Sequence, residues 1–372
     1  MASAWACLST DRLLSGGDAP SDAAAPVDAP SEAAPASTCV LPKPPPRPAT
    51  QDDGVDVGPL VFAFHLFSLG PPGDAGTLGF DLDDACTCPG GGADAAGPCV
   101  AGDPKFACDD SQGRDVALVT LMNAAGSVPI LDDGTQEFLS GNGGTLFKID
   151  GYNGAPDDPF ITLTFYLSTG TWRTTADGGA FLDDGGIWPD GGRASPAIPA
   201  WDGSDIWSIN PRSLSSGTPV VRVPGWVTGG VFVAPVQRFP GFLLPSTFGP
   251  GFDVNDATYT GRIVKDGEIY RVEAGQVAGR IPAQQLLGSV RTKRTVKANG
   301  TVVCSISETS YYELVKGGVC GARDIMSSAS ADGTGQTCDA ISYAFGFEAV
   351  QAKLGLERPG PELCPNQEAP CP

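Results

Sequence analysis

The chain has 372 residues, 11 cysteines, one histidine and a formal net charge of −20. Such an acidic chain repels nucleic-acid phosphates and anionic lipid headgroups, which argues against nucleic acid as a partner. No run of about 18 apolar residues, the length of a membrane helix, is present. We therefore expect membrane contact only through a lipid anchor.

Composition divides the chain into four parts. Residues 1–7 look like the remnant of a lipoprotein signal peptide with its anchor cysteine. Residues 8–54 are rich in Ala, Pro, Asp and Ser, which predicts a disordered tether because few large apolar side chains are available for burial. Residues 55–356 carry the periodic apolar segments and predict one folded domain that includes a cysteine module at residues 79–115. Residues 357–372 form a tail rich in Cys and Pro.

The first predicted strand covers residues 61–67, which are apolar almost throughout. Such a run is typical of a strand buried on both faces. Side chains alternate along a strand, so Phe62, Phe64 and Leu66 are expected on one face, and His65 and Phe67 on the other. His65 is accordingly expected to be a packed, hydrogen-bonded residue and not a catalytic acid or base.

Further strands and helices follow within the folded domain. Strands are predicted at residues 146–150, 161–167, 220–223, 230–234, 259–264, 269–272, 276–281, 302–306 and 341–350. Helices are predicted at residues 116–125, 282–290 and 311–326. Many short strands with few helices predict a mainly β fold, and we expect an antiparallel β-sandwich of jelly-roll type.

The cysteines indicate an oxidising compartment. Cys86 and Cys88 are spaced too tightly for a zinc knuckle, and no histidine lies near them, so disulfides are the favoured interpretation. The odd count leaves one cysteine over, and Cys7 follows small residues as a lipidated cysteine does. Residues 1–6 are too short for the apolar core of a signal peptide, so we expect the true start codon to lie upstream. A cytosolic protein with free thiols is the alternative.

Disulfide pairing is expected to follow short separations, which keep partners close before folding. Two bonds are then expected within the cysteine module, among Cys86, Cys88, Cys99 and Cys108. Another is expected between Cys364 and Cys371. The remaining two bonds fall to Cys39, Cys304, Cys320 and Cys338, with Cys320–Cys338 favoured.

Several short motifs occur in a fixed order along residues 7–350. They are Ala6-Cys7-Leu8-Ser9-Thr10, Gly79-Phe80-Asp81-Leu82-Asp83, Cys86-Thr87-Cys88-Pro89, Gly113-Arg114-Asp115, Gly151-Tyr152-Asn153-Gly154, Ala278-Gly279-Arg280 and Cys338-Asp339-Ala340. With the acidic Ala/Pro tether, this order resembles a group of myxobacterial cell-surface lipoproteins of unknown activity. The resemblance implies export and anchoring to the outer membrane, at the cell surface or in the periplasm, and it implies no activity.

Calcium is the one cofactor that the sequence suggests. Asp81 and Asp83 offer the oxygen ligands that this hard cation prefers. The loop departs from the EF-hand pattern, because Ala85 and Cys86 occupy a ligand position and the glycine position. Acidic pairs recur along the whole chain, so a generic acidic loop is the alternative.

Enzymatic activity is not the favoured interpretation. A Ser–His–Asp triad would have to use His65, and the chain lacks a Gly-x-Ser-x-Gly elbow. A carboxylate-based hydrolase of an extracellular polymer, such as a polysaccharide, stays open, because it needs only two of the 43 acidic residues. We favour a non-catalytic binding or structural module. Two carboxylates with raised pKa facing each other in a cleft would favour the hydrolase.

A tryptophan-rich segment is the predicted ligand site. Five of the six tryptophans lie between residues 172 and 226, mostly flanked by Gly, Asp, Ser and Pro. An indole ring offers a flat apolar face and one N–H donor, which suits contact with a sugar or a protein. We expect Trp172, Trp188 and Trp201, with Asp183 and Asp184, to meet an unknown protein or carbohydrate ligand. Burial of these rings at the ends of the fold is the alternative.

Overall fold

Eight antiparallel strands close into a barrel in the computed structural model of the chain. The structure describes residues 41–50, 52–68, 78–87, 97–106, 108–124, 138–141, 143–172, 198–242, 252–296, 302–306, 309–359, 364 and 370–371. The barrel strands are β1 (Leu60–Ser68), β2 (Gly144–Asp150), β3 (Asp158–Ser168), β8 (Val221–Thr228), β9 (Val231–Phe242), β10 (Phe252–Asp266), β11 (Ile269–Pro282) and β14 (Ala340–Gln351). The short strands are β4 (Thr171–Trp172), β5 (Ile206–Ile209), β6 (Leu214–Ser215), β7 (Thr218–Pro219), β12 (Thr292–Val296), β13 (Val302–Ile306) and β15 (Lys353–Glu357).

Each barrel strand pairs with the next barrel strand along the chain, and β1 closes the ring. Phe62 of β1 lies opposite Phe147 of β2 on one side and Gln351 of β14 on the other. Closure leaves no strand edge unpaired, which an open sandwich cannot achieve. The mainly β class is confirmed, and the main sheet forms a closed barrel where a sandwich of jelly-roll type was predicted.

A β-bulge at His65 reverses the side-chain alternation of β1. The pairing of β1 with β14 shifts register between Phe64 and Leu66. An extra residue on one strand moves every later side chain to the other face. Phe67 therefore joins Phe62 and Phe64 in the main hydrophobic core, and its predicted place on the face of His65 is wrong.

Aromatic side chains fill the barrel. The Phe64 ring stacks on that of Phe347 with centroids 4.5 Å apart, and Phe147 stacks on Phe62 at 5.1 Å. Phe165 lies 4.7 Å from Tyr259 and completes the contact across the interior. Eight strands enclose a space that side chains can just fill, so the barrel is a packed core.

Three helices lie in the described part of the chain: α1 (Ala117–Ala124), α2 (Ala283–Arg291) and α3 (Thr309–Gly321). They match the three predicted helices within a few residues. Val119, Leu287 and Val319, one from each helix, belong to the same hydrophobic cluster as the barrel interior. None of the helices in these ranges is both long enough and apolar enough to cross a bilayer.

A second, smaller core lies outside the barrel wall. There β5 pairs with β4 and β15 in a three-stranded sheet. Trp207, which is 1% exposed, packs with Ala63, Leu146 and Tyr166. Outward-facing residues of the barrel strands are thus buried as well, which explains why β1 is apolar on both faces.

The folded part begins earlier than predicted. In the described part of the chain, residues 41–48, here called the proline strap, belong to the same compact unit as the barrel and lie against it. Pro42 accepts a hydrogen bond from the Asp81 N–H at 2.9 Å, and Trp226 donates its indole N–H to the carbonyl of Pro45 at 2.9 Å. The predicted disordered tether is therefore wrong for residues 41–48, because polar groups of the barrel and the module bind their backbone carbonyls. The tether up to residue 40 lies outside the described residues.

Long-range disulfides replace the predicted short-range ones. Cys99 is bonded to Cys338, Cys304 to Cys364, and Cys320 to Cys371. Cys86 and Cys108 are also disulfide-bonded. The predictions of a self-contained module, of Cys364–Cys371 and of Cys320–Cys338 are wrong. Proximity in the fold decides pairing: Cys99 and Cys338 are 239 residues apart in sequence, yet their Cα atoms are 5.2 Å apart.

Candidate functional site

The loop of residues 79–84 is fixed to the outside of β11 by two side chains. Gln276 accepts a hydrogen bond from the Gly79 N–H at 2.9 Å, and Arg280 Nη2 donates to the carbonyl of Leu82 at 2.5 Å. These two residues lie four apart on one strand and so share a face. Because both ends of the loop are held, its aspartates have defined positions.

Three carboxylates meet at this loop. One oxygen each from Asp81, Asp83 and Asp115 lies within 4.8 Å of the other two. Asp115 Oδ2 accepts from the Leu82 N–H at 2.6 Å, which brings the Gly-Arg-Asp motif to the Gly-Phe-Asp-Leu-Asp motif. Asp81 and Asp115 are buried, at 3% and 5% exposed, and Asp83 is half-buried. We call Asp81, Asp83 and Asp115 the carboxylate triad.

Burial and mutual repulsion raise the pKa values around the triad. Loss of solvent, followed by repulsion from Asp109 and Asp81, raises the pKa of Asp83 to about 7. Burial, followed by repulsion from Asp83 and Asp324, holds the pKa of Asp115 well above its ordinary value. Nearby, burial raises the pKa of Asp109 to about 6 and that of Asp324 to about 7. Burial and repulsion therefore favour the protonated form of these carboxyl groups in the folded chain.

Lys43 of the proline strap supplies positive charge at the edge of the triad. Its Nζ lies 2.7 Å from Asp81 Oδ2 and 2.6 Å from Asp84 Oδ1, and it donates to the Asp81 carbonyl at 2.9 Å. Burial opposes the charge on Lys43, but its hydrogen bonds to Asp81 and Asp84 outweigh that effect, and its pKa is raised. The buried Asp81 carboxylate is thus held by an ammonium group.

The geometry of the triad is compatible with Ca²⁺. This ion takes six to eight oxygens at about 2.3–2.6 Å, so two oxygens on one ion are at most about 5 Å apart. The 4.8 Å limit within the triad meets that condition. The ammonium group of Lys43 would compete with a bound cation, because both would contact the Asp81 carboxylate.

Two members of this site escaped prediction from sequence. Asp115 lies 32 residues beyond Asp83, and Lys43 falls within the predicted tether. For Asp115 a signal existed, namely the position of the Gly-Arg-Asp motif in the ordered motif set. For Lys43 no local signal distinguishes it from other charged residues among prolines.

The predicted tryptophan site is only partly within the described residues. Trp188, Asp183 and Asp184 lie outside them, as do Cys7, Cys39 and Cys88. The backbone of Trp172 pairs with Ile206 in the outer sheet. Trp201 is half-buried, 5.6 Å from the Trp207 ring and 4.6 Å from the ring of His65. Trp201 therefore packs on the smaller core, on the opposite face of β1 from the barrel interior.

His65 lies at the bulge of β1 with Glu348 beside it. Its Nδ1 is 4.0 Å from Glu348 Oε2, beyond hydrogen-bond distance. Burial lowers its pKa more than Glu348 raises it. The half-buried imidazole packs against the Trp201 ring, so the predicted packing is confirmed, whereas the predicted hydrogen bond stays a prediction.

Comparison of the chain with protein-family models, with curated proteins and with solved structures found no match. The features available for function are therefore the chain's own: a filled barrel, the carboxylate triad, and the half-buried tryptophans on its outer surface.

Proposed function

We propose that this protein is an exported, non-catalytic module that binds a partner or holds structure at the cell surface, anchored through lipid on Cys7. The packed barrel interior is the observation that carries the proposal. Phe64, Phe147 and Phe347 contact one another there, which leaves the outer surface for recognition. A packed, disulfide-bonded barrel is well suited to presenting such a surface outside the cell.

A carboxylate-based hydrolase is the competing hypothesis, and the triad gives it one supporting feature. Asp83 and Asp115 both have raised pKa values, as an acid catalyst requires. The side chains of Asp81 and Asp115, however, are almost fully buried, and a polymer chain needs an open cleft to bring its glycosidic bond between two carboxyl groups. Burial therefore favours a structural or ion-binding role for these residues.

One experiment separates binding from hydrolysis. The purified chain is incubated with extracellular polysaccharides and with cell-wall material, and both co-sedimentation and release of reducing ends are measured. We expect the protein to co-sediment with one of these materials without releasing reducing ends. Product that disappears in the Asp83→Asn variant, and persists when Asp103, a half-buried residue outside the triad, is replaced by Asn, would establish the hydrolase instead.

Anchoring and export are supported by the disulfides, which form and persist in oxidising compartments. The Cys99–Cys338 bond is buried in a small cluster with Met326. Because the bond is buried in the folded chain, we expect it to form during folding, in an oxidising compartment. Mass spectrometry of the native protein tests the anchor. We expect an N-terminal Cys7 carrying acyl chains, and release of the Cys7→Ala chain from membranes; an unmodified Cys7 thiol behind an intact Met1 would refute anchoring.

Calcium binding at the carboxylate triad is a second candidate function, and the close approach of the three carboxylates favours it. Ca²⁺ would relieve their repulsion, and its binding would release protons because carboxyl ligands must be deprotonated. Residues Asp81, Asp83 and Asp115 would supply oxygens, with the ion competing against Lys43 for Asp81. The role would be structural, joining two motifs of the cysteine module.

Thermal unfolding with and without Ca²⁺ tests this candidate. At a free concentration 100 times Kd, binding to the folded state alone adds about 2.7 kcal/mol to the free energy of unfolding. We expect Asp83→Asn to abolish the shift and Asp103→Asn to retain it. Lys43→Met should strengthen binding because it removes the competing ammonium. Equal unfolding curves with Ca²⁺ and with chelator would refute the site.

A further inference from the structure

The proline strap is bound on the outer face of β8 by two side-chain donors. Trp226 donates its indole N–H to the carbonyl of Pro45 at 2.9 Å, and Thr228 donates its hydroxyl to the carbonyl of Pro46 at 2.9 Å. The guanidinium of Arg47 lies over the Trp226 ring, 5.1 Å from its centroid. Two residues of one strand thus contact three consecutive strap residues.

The strand geometry explains why these two side chains act together. Trp226 and Thr228 are two residues apart, so both point to the same face of β8. Val227 between them is fully buried in the barrel core. The packed core therefore holds the two donors in a fixed spacing on the outer surface, where both are half-buried.

The strap has the chemistry of a polyproline II ligand. Proline fixes φ near −65°, and a residue that precedes proline is biased towards extended or polyproline II conformations. Lys43, Pro44, Pro45 and Arg47 all precede a proline. A polyproline II backbone makes no internal hydrogen bonds, so its carbonyls stay free to accept from outside. An aromatic ring with neighbouring donors is how proline-rich peptides are recognised in general.

We propose that Trp226 and Thr228 form a polyproline-binding groove whose external partner is a proline-rich segment of another protein, with a basic residue after the prolines. The proline strap is the resident ligand within the chain. The inference rests on the proposed binding role and names the chemistry of the partner. The polymer and Cys7 experiments above test that role without the groove, so the two can fail separately.

Exchange with an external segment is physically reasonable because the strap is held at its surface. Pro46 and Arg47 are exposed, and the bond between Thr228 and Pro46 is itself exposed. Exposed hydrogen bonds and cation–π contacts are individually weak, because water competes for the same groups. The strap competes mainly through its high effective concentration, which is in the millimolar range for a short connection.

A peptide with the sequence of residues 41–50 tests the groove. The receptor is the full chain with Pro44→Gly, Pro45→Gly, Pro46→Gly and Arg47→Ala, which keeps Lys43 at the carboxylate triad. We expect saturable binding, measured in every variant by the fluorescence anisotropy of the labelled peptide and, where Trp226 is present, also by its indole N–H resonance. Adding Trp226→Phe, which keeps a ring, or Thr228→Val, which keeps the shape, should each weaken binding about tenfold.

Two controls keep the test specific. Thr334→Val removes another exposed hydroxyl that donates to a backbone carbonyl, and it should leave peptide binding unchanged. A peptide with alanine at the three consecutive prolines keeps the carbonyls and charges but loses the preorganised backbone, and it should bind more weakly. Should the substituted strap impair folding, the unaltered chain is titrated to tens of millimolar of the peptide carrying a spin label, which should broaden the Trp226 indole N–H resonance as the peptide displaces the strap.

Three results would overturn the proposal. The first is equal peptide binding by the Trp226→Phe and Thr228→Val chains and their parent. The second is no binding at any of these concentrations. The third is a dimer of the strap-substituted chain that depends on Thr228 and that the peptide does not disperse, because the groove would then serve a second copy of this chain.

Discussion

The guanidinium of Arg280 donates to both carboxylate oxygens of Asp332, at 3.0 Å from Nη1 and 2.7 Å from Nη2. The same group donates to the carbonyls of Leu82 and Met326. The Arg280 side chain is 1% exposed. One buried cation on β11 therefore ties the cysteine module and the segment before β14 to the barrel wall.

Replacing Arg280 by Met should lower the free energy of unfolding by about 3–5 kcal/mol, because Asp332 and the carbonyls of Leu82 and Met326 lose their donor. Urea denaturation measures the change. Arg238 forms an exposed ion pair with Asp253, so Arg238→Met is the matched control and should change stability by less than about 1 kcal/mol. Equal losses of stability in the two variants would contradict the role of Arg280 in joining the cysteine module to the barrel.

Gly275 and Gly317 should respond in opposite ways to alanine. A Cβ at Gly275 would lie 2.6 Å from the Phe347 ring, which is itself packed against Phe64, so Gly275→Ala should destabilise by about 1–3 kcal/mol. A Cβ at Gly317 in α3 meets no atom within 4 Å, so Gly317→Ala should stabilise by about 0.5–1 kcal/mol. Thermal melts of both variants decide the matter; a stabilised Gly275→Ala chain would show that the interior can relax.

Non-reducing peptide mapping should recover Cys99 joined to Cys338. Replacing both by alanine should cost about 2–5 kcal/mol of stability, since the bond closes a long loop and lies in a buried cluster. The matched comparison is the replacement of Cys304 and Cys364 by alanine, because that disulfide includes an exposed cysteine, Cys304. Recovery of Cys99 bound to Cys86, Cys88 or Cys108 would restore the short-range pairing that the sequence favoured.

Stability should fall as the pH rises from about 4 to about 7. Burial raises the pKa of Asp324 to about 7 from an ordinary value of 3.8, so the folded state binds a proton that the unfolded chain releases near pH 4. The stabilisation is complete below that lower value and declines at about 1.4 kcal/mol per pH unit for one group until the higher value is passed.

Two variants isolate the contribution of Asp324. Asp324→Asn should flatten the pH dependence and make the chain more stable than the parent at pH 8. Ser342 donates to the Asp324 carboxylate from its hydroxyl at 2.5 Å and from its N–H at 2.8 Å, so Ser342→Ala should move the decline to higher pH. An unchanged slope in Asp324→Asn would assign the dependence to Asp83 and its neighbours.

Local patterns in the sequence determined the class of the fold and most of its elements. The period-two segments became barrel strands, and the three helical segments became helices, because side-chain periodicity reflects burial on one face. The apolar run at residues 61–67 correctly indicated a strand buried on both faces. The Asp81 and Asp83 pair also lay where the structure gathers carboxylates.

Tertiary structure alone decided closure, pairing and the completion of the site. β1 and β14 meet across about 290 residues, and Cys99 meets Cys338 across 239. No local periodicity encodes which distant strands are neighbours. The bulge at His65 arises from the pairing of β1 with the distant strand β14. The face on which Phe67 lies could therefore not be predicted from the alternation within β1. Lys43 and Asp115 reached the carboxylates only because the barrel wall positions the strap and the loop together.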